Sequence, residues 1–195
     1  MTSTGYSAFV MAMERVEKRL RMVSSALDAA GIAYAVVGGN AVAAWVSRVD
    51  PAATRATKDV GLLVRKDDDE EISRVMADLG FERQDLRRLV LFTDPEEPSK
   101  RSGVHLVWSD TLIRPSYACP SPSVDEAVRD PEGFAVLDLP ALVRMKLTSF
   151  RDVDRVHVAD LAQVGLIDQA LIDSLPVELK QRLTELLDAL ESDDE

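Results

Sequence analysis

Two consecutive glycines, Gly38 and Gly39, place the strongest constraint on how this chain can fold. The stretch before them, IAYAVV at 32–37, has the apolar, β-branched character of a buried strand. The stretch after them, NAVAAWVSR at 40–48, predicts a helix of about two turns with Asn40 as its N-cap. A strand that runs directly into a helix leaves the first backbone N–H groups of that helix without partners. The turn is therefore either a phosphate-binding site, which the absent side chains would open to a ligand, or simply a tight connection.

A second predicted strand, KDVGLLVR at 58–65, carries the next chemically informative residue. Asp59 lies at its start, and Gly61 follows two residues later. Because side chains at i and i+2 lie on one face of a strand, carboxylates at both positions could bridge two divalent ions. Glycine has no side-chain oxygen, so Asp59 alone is the candidate ligand for Mg²⁺. Arg55, just before the strand, either binds phosphate or pairs with Asp59 and orders the loop.

The rest of the pattern predicts an α/β (α+β) domain in which helices flank a mixed sheet and a helical segment ends the chain. Further helices are predicted at 8–30, 68–79, 138–150, 154–164, 168–173 and 176–191, and further strands at 81–86, 88–94 and 103–109. We expect an α/β core with an N-terminal helix over 1–138 and a helical segment packed on it over 139–195.

The composition excludes several classes of protein. The 195 residues are 46% hydrophobic, which supplies a core and argues against disorder. No apolar run reaches the roughly 18 residues that a membrane span requires. The net charge of −11 argues against an extended nucleic-acid surface, because phosphate contacts require clustered Lys and Arg. The single cysteine, Cys119, excludes an intramolecular disulfide and indicates a cytoplasmic location.

The glycine turn and the second strand together resemble the nucleotidyltransferase superfamily, whose fold is shared with DNA polymerase beta. Within it, the chain is similar to the branch of the AbiEii-type toxins and minimal nucleotidyltransferases. That family combines a Gly-Gly turn and a short helix with Arg-x-Thr-x-Asp-x-Asp at the start of a strand. Here Arg55, Thr57 and Asp59 match that pattern, and Gly61 replaces its last aspartate.

A later segment, LDLPALVRMKLTSFRDVDRVHVADL at 137–161, is similar to the helical motif of the same family. The family has a lysine on one helix and an Arg-x-x-Asp pair that opens the next. Lys146, Arg151, Asp154 and Asp160 occupy these positions. An intrahelical ion pair between Arg151 and Asp154 is the alternative interpretation, and Lys146 either contacts a triphosphate or extends to solvent.

The resemblance implies a nucleotidyltransferase-like fold and transfer of NMP from an NTP to a hydroxyl of a protein, an RNA or a small molecule, with Mg²⁺. It also implies an antitoxin as a partner if the chain belongs to a toxin–antitoxin pair. The nucleotide-binding residues that it implies are Gly38, Gly39, Asn40, Arg55, Thr57, Lys146, Arg151 and Asp154, and the catalytic residue and metal ligand is Asp59.

The third carboxylate of the family belongs on a neighbouring strand, and here that position is doubtful. In GVHLVWS at 103–109, His105 and Val107 share a face, and Asp110 lies just past the end. His105 is a candidate metal ligand or base, or a packed histidine. His157 lies between Asp154 and Asp160 at helical spacing, which suits a metal site or an ordinary surface helix. The alternative function is therefore a catalytically inactive nucleotide-binding or protein-interaction domain, in which Gly61 has removed the activity.

Overall fold

A seven-stranded mixed sheet forms the centre of the protein, with helices packed against it. The computed structural model describes residues 5–86, 89–95, 99 and 102–193. The strands are β1 (Tyr34–Val37), β2 (Val60–Val64), β3 (Glu82–Leu86), β4 (Leu89–Thr93), β5 (Val104–Trp108), β6 (Ala127–Arg129) and β7 (Ala135–Leu137). The helices are α1 (Gly5–Ala29), α2 (Gly38–Ser47), α3 (Asp69–Asp78), α4 (Leu139–Ser149), α5 (Asp152–Gln163), α6 (Gln169–Ser174) and α7 (Val177–Asp193). The predicted class is confirmed.

The order of the strands is β3-β4-β5-β2-β1-β7-β6. Strand β2 lies between β1, to which it is antiparallel, and β5, to which it is parallel. Its residues Val60, Leu62 and Leu63 are fully buried. Asp59, immediately before β2, therefore lies at the end of the sheet where β1 ends and β5 begins.

The N-terminal helix α1 matches the helix predicted at 8–30 and buries one face along its second half, while Phe9 and Met13 in its first half are exposed. Val16, Leu20, Val23 and Leu27 recur at three- and four-residue steps and are buried against the rest of the core. The helix ends where Gly31 adopts a positive φ of 69°, a conformation that suits glycine.

The predicted cap of α2 differs from the structure. Helix α2 begins at Gly38, with Val37 as its N-cap, so Asn40 lies inside the first turn and is not the cap. The reason is that Gly38 adopts a positive φ of 73° and turns the chain into the helix two residues early. The predicted strand at 88–94 begins at a residue outside the described ranges, and β4 is seen from Leu89 to Thr93.

The C-terminal helices are joined to the core by buried leucines and by charged contacts. Asp138 caps α4 by accepting a hydrogen bond from the Ala141 N–H at 2.8 Å. Leu179 and Leu183 of α7 are fully buried. Arg182 of α7 donates to the Leu147 carbonyl at the end of α4 at 2.8 Å, which satisfies a helix-terminal acceptor.

Among the helices of the described ranges, none combines the length and the apolar character that crossing a membrane demands.

Candidate functional site

Gly38 and Gly39 form the turn between β1 and α2, and each is required for a different reason. Gly38 has a positive φ of 73°, which side-chain-bearing residues rarely adopt. Gly39 has ordinary dihedral angles, but a Cβ there would lie 2.9 Å from the Thr57 Oγ1. The loop before β2 thus approaches the start of α2 more closely than any larger residue would allow. The first N–H groups of α2 lie at this contact.

Asn40 holds the start of α2 against the start of β2. Its Nδ2 donates to the Asp59 carbonyl oxygen at 2.7 Å, and its side chain is buried. The Thr57 hydroxyl lies 3.4 Å from the same carbonyl oxygen and 3.4 Å from the Asp59 Oδ1. These contacts fix the backbone of Asp59 and leave its side chain 46% exposed.

His105 lies beside Asp59. The sequence alone did not determine whether His105 approaches this residue. In the parallel pairing of β2 with β5, Gly61 stands next to His105. The His105 Nδ1 is 4.0 Å from the Asp59 Oδ2, close enough for an electrostatic interaction. Strand β5 therefore presents an imidazole on the face where the family pattern has its third carboxylate.

These residues fit one divalent ion but not a pair of ions. No group of three or more His, Cys, Asp or Glu side chains that could hold a metal occurs within the described ranges. Asp59 and His105 offer one carboxylate and one imidazole, so phosphate oxygens and water would have to complete the coordination. At Gly61, an added Cβ would lie 3.2 Å from the Val37 carbonyl oxygen, so an aspartate there would require β1 to shift.

Arg55 pairs with Asp160 of α5 and not with Asp59, so that part of the prediction is wrong. The Arg55 Nε lies 2.8 Å from Oδ1 and 2.7 Å from Oδ2 of Asp160. Asp160 is buried, whereas the Arg55 side chain is 62% exposed. The ion pair anchors the loop that leads to Asp59, and it leaves much of the guanidinium in contact with solvent.

Lys146, Arg151 and Asp154 form a charge cluster where α4 meets α5, which we call the α4–α5 cluster. Asp154 has no exposed side-chain surface, and its Oδ1 accepts from the Lys146 Nζ at 3.0 Å. Its Oδ2 accepts from the Arg151 Nε and from the Ser149 hydroxyl, each at 2.7 Å. Lys146 is itself buried, and its Nζ also lies 2.9 Å from the His157 Nδ1. Asp154 thus orients two cations.

The pKa values in this cluster follow from burial and from the neighbouring charges. Burial works to raise the pKa of the Asp154 carboxyl, but hydrogen bonds from Arg151 and the charge of Lys146 outweigh it and hold that pKa below its ordinary range. Burial lowers the pKa of Lys146, and the charge of Asp154 partly opposes it. Burial, together with the charge of Lys146, lowers the pKa of His157 to about 4, so His157 is neutral at pH 7 and accepts from Lys146.

The cluster faces the glycine turn and Asp59. The His157 Nε2 would lie 3.7 Å from a Cβ at Gly39, which places α5 against the start of α2. The charge of Asp59 acts in the direction that raises the pKa of Arg151, and it partly opposes the lowering of the Lys146 pKa by burial. The Arg151 side chain is 60% exposed, so part of it remains accessible to solvent. Elements far apart in sequence therefore form one site around Asp59.

No family model matches the chain. No curated protein matches it either. Among solved structures, it is similar to an antigenic nucleotidyltransferase-like protein from Paracoccidioides brasiliensis, with 16% identity and a TM-score of 0.60 over 90% of this chain and 88% of that one.

Two structures of the antibiotic-resistance factor ANT(2'')-Ia are also similar to this chain. Its solution structure has 14% identity and a TM-score of 0.49 over 91% of this chain and 84% of that one. Its complex with adenylyl-2''-tobramycin has 15% identity and a TM-score of 0.48 over 91% of this chain and 92% of that one. At these identities the likeness concerns the fold alone, and the Paracoccidioides structure carries it. The chain has a nucleotidyltransferase-like fold.

Proposed function

We propose that the protein binds a nucleoside triphosphate at Asp59 and transfers its NMP group to a hydroxyl acceptor. The observation that supports this most is the arrangement of Asn40, Thr57 and Gly39 around Asp59. These residues hold a half-exposed carboxylate next to the free N–H groups at the start of α2. A carboxylate beside a helix N-terminus suits a cation bound to a polyphosphate, since the helix end attracts the anion and the carboxylate attracts the cation.

The phosphates would lie between the glycine turn and the two cations of the α4–α5 cluster. The N–H groups at Gly38 and Gly39 bind the terminal phosphates, helped by the partial positive charge of the α2 N-terminus. Arg151 donates to the phosphates from its exposed side, and Lys146 adds positive charge from within. Asp154 contributes by holding both cations, because its own carboxylate is fully buried. Arg55 lies at the rim and neutralises charge there.

In the reaction, the acceptor oxygen attacks the α-phosphorus in line with the bond to the bridging oxygen of the β-phosphate. An O–P bond forms, the bond to the bridging oxygen breaks, and pyrophosphate leaves while the acceptor's proton passes to water or to His105. A Mg²⁺ ion held by Asp59, with His105 nearby, would neutralise charge that develops on the phosphate oxygens. The chain's own groups position the triphosphate and keep its charge balanced.

A second candidate function is nucleotide binding without transfer. Gly61 and the lack of a three-ligand group within the described ranges favour it. Losing a bridging carboxylate costs several kcal/mol of transition-state stabilisation, which lowers the rate by orders of magnitude, whereas the glycine turn and the cations would still bind phosphate. From the resemblance to AbiEii-type proteins we also propose that, with either function, the protein is a toxin. It would act on a protein or RNA acceptor and have an antitoxin as partner.

The proposal also gives the two parts of the chain different tasks. The α/β core over 1–138 supplies the glycine turn and Asp59, and the helical segment over 139–195 supplies Lys146 and Arg151.

Titration calorimetry of ATP, CTP, GTP and UTP, with and without Mg²⁺, tests the proposal on the unaltered protein. We expect Mg²⁺-enhanced binding of at least one nucleotide, and we expect Asp59→Asn to abolish that enhancement. Asp85→Asn is the matched control, because Asp85 is an exposed aspartate on β3. If no nucleotide bound, both candidate functions would be wrong.

Transfer assays with the α-³²P form of the nucleotide that binds then separate the two candidates. Label that moves to an acceptor, or pyrophosphate that is released, in an Asp59-dependent way supports transfer. Binding without either product supports the second candidate.

A further inference from the structure

A cavity of about 580 Å³ lies over β4 and β5 and reaches the α4–α5 cluster at Arg151. Its wall includes Leu89 of β4, Val107 of β5, Tyr117 of the following loop, Met145 of α4 and Arg151. We call it the β5 cavity. Arg151 also belongs to the α4–α5 cluster that faces Asp59, so the cavity and the candidate site share a wall.

The floor of the β5 cavity lies on the same face of the sheet as Asp59. His105 is beside Asp59, and in the antiparallel pairing of β4 with β5 Leu91 stands opposite His105. Directly opposed residues share a face, and so do residues two apart on one strand. Leu89 and Val107 therefore continue the face of His105, and a molecule on that floor would reach the carboxylate by extending past Leu91 and His105.

The lining of the β5 cavity is apolar, with positive charge at its edge. Leu112 on the rim is 51% exposed, an apolar surface that a bound molecule would cover. Arg114 lies with its guanidinium 5.6 Å from the centre of the Tyr117 ring, and both residues line the cavity. Among the described residues, no aspartate or glutamate lines it. This lining attracts an apolar molecule with a negative charge and repels a cationic one.

The order of the strands indicates which reactant the β5 cavity can hold. In the proposed function, the departing pyrophosphate lies at the glycine turn, on the β1 side of β2. In-line displacement requires the attacking oxygen on the opposite side of the α-phosphorus. Since β1 and β5 flank β2 on opposite sides, that direction leads to the β5 cavity.

We propose, resting on the proposed nucleotidyl transfer, that the β5 cavity is the acceptor site and takes an apolar molecule that carries a hydroxyl and an anionic group. The anionic group pairs with Arg114, and the apolar body covers Leu89, Val107 and Leu112. The hydroxyl points toward Asp59, where its oxygen forms the new bond to phosphorus as pyrophosphate leaves with the bridging oxygen and the hydroxyl proton passes to water or His105.

The test uses two probes with the same apolar body and opposite charges, naphthalene-2-sulfonate and 2-naphthylmethylammonium. In titration calorimetry of the full-length protein, we expect the sulfonate to bind at one site and the ammonium to bind at least about tenfold more weakly. Arg114→Glu should weaken sulfonate binding by about tenfold or more. Arg15→Glu is the matched control, because Arg15 is an exposed arginine on α1 that does not line the cavity.

Leu112→Glu provides an independent variant, compared with Leu112→Gln. We expect the glutamate to weaken sulfonate binding more than the glutamine does, since only the glutamate adds a negative charge at the rim. The cavity assignment would be overturned if the sulfonate did not bind, if the ammonium bound equally well, or if all four variants bound the sulfonate alike.

A final titration repeats the sulfonate measurement in the presence of a saturating α,β-methylene analogue of the nucleotide that the protein binds. An acceptor site predicts that the two bind together with little change in either affinity. Displacement of the sulfonate by the analogue would show that the cavity receives part of the nucleotide, and would overturn the acceptor role. If no nucleotide bound, nucleotidyl transfer and the acceptor role would both be wrong, while the titrations with sulfonate alone would still report on the cavity.

Discussion

The α4–α5 cluster and a second charge cluster, between α3 and β3, contain the same kinds of groups in different surroundings. The members of the second, the α3–β3 cluster, are Asp69, Arg83 and Asp85. In both clusters an arginine side chain donates to an aspartate at 3.2 Å or less. In both, hydrogen bonds from the arginine lower the pKa of an aspartate. The difference is burial, since Asp85 is 66% exposed and Asp154 has no exposed side-chain surface.

This difference in burial separates a cluster that can hold its charged groups in one position from one that cannot. Water can replace Arg83 as the partner of Asp85, so their ion pair contributes little to the free energy of folding. Water cannot replace the partners of Asp154, because both Asp154 and Lys146 are buried. Any arrangement that separated them would leave a buried charge without a partner. Lys146 is therefore held in one position, as its proposed contact with phosphate requires. The comparison predicts that removing a charge lowers the free energy of unfolding more at a buried residue than at an exposed one.

The largest effect is expected from Asp154→Asn. The substitution removes the negative charge that pairs with buried Lys146, so we expect the free energy of unfolding to fall by about 3 to 5 kcal/mol. Urea denaturation followed by circular dichroism measures it. Lys146→Met in the same background should recover part of the loss by removing the unpaired cation. A loss without such recovery would show that packing, and not charge, explains the effect.

The second effect is a pH dependence that His157 controls. Its pKa is lowered from 6.5 to about 4 in the folded protein. Between these values the unfolded chain binds a proton that the folded protein does not, so stability is complete above pH 6.5 and falls toward pH 4. The shift corresponds to at most about 3 kcal/mol, since solvent around the partly buried ring screens part of it. Asp154 acts in the same sense only below its ordinary pKa of 3.8, so the two contributions are separable.

The chain has two histidines, so a matched pair of variants tests this assignment. His157→Asn keeps a side-chain oxygen that can accept from Lys146 but does not titrate. We expect it to flatten the decrease in stability between pH 6.5 and pH 4, measured by urea denaturation at each pH. His105→Asn should retain the decrease. If the two variants behaved alike, His157 would not be the group responsible.

Substitution in an ion pair with one buried and one exposed partner should lower the free energy of unfolding by an intermediate amount. Asp160 is 7% exposed and Arg55 is 62% exposed, so after Asp160→Asn the arginine can be solvated. We expect the free energy of unfolding to fall by about 1.5 to 3 kcal/mol, the value of a hydrogen bond to a charged group. Asp125→Asn is the control, because both Asp125 and its partner Arg65 are exposed. Equal changes at the two positions would contradict the ranking by burial.

The same comparison explains how much of the site could be predicted from the sequence. The glycine turn and the strand after Asp59 were predictable because they depend on residues adjacent in the chain. The partner of Arg55 was not, since Asp160 is 105 positions away. The approach of His105 to Asp59 depends on the parallel pairing of β2 with β5, whose register no local pattern specifies. Asn40 was assigned to the cap because the positive φ of Gly38 has no signal beyond the glycine itself.

The smallest effect is expected from Asp85→Asn. Arg83 keeps Asp69 and the Ser73 hydroxyl as partners, and solvent already contacts Asp85, so the free energy of unfolding should hardly change. Urea denaturation in low salt and in 0.5 M NaCl, about the concentration at which surface charges are largely screened, should give the same small difference or none. Asp154→Asn should keep its full loss in both salts, because buried charges are screened much less. A large, salt-resistant loss at Asp85 would mean that the α3–β3 cluster is held as firmly as the α4–α5 cluster, and burial would then not be what separates them.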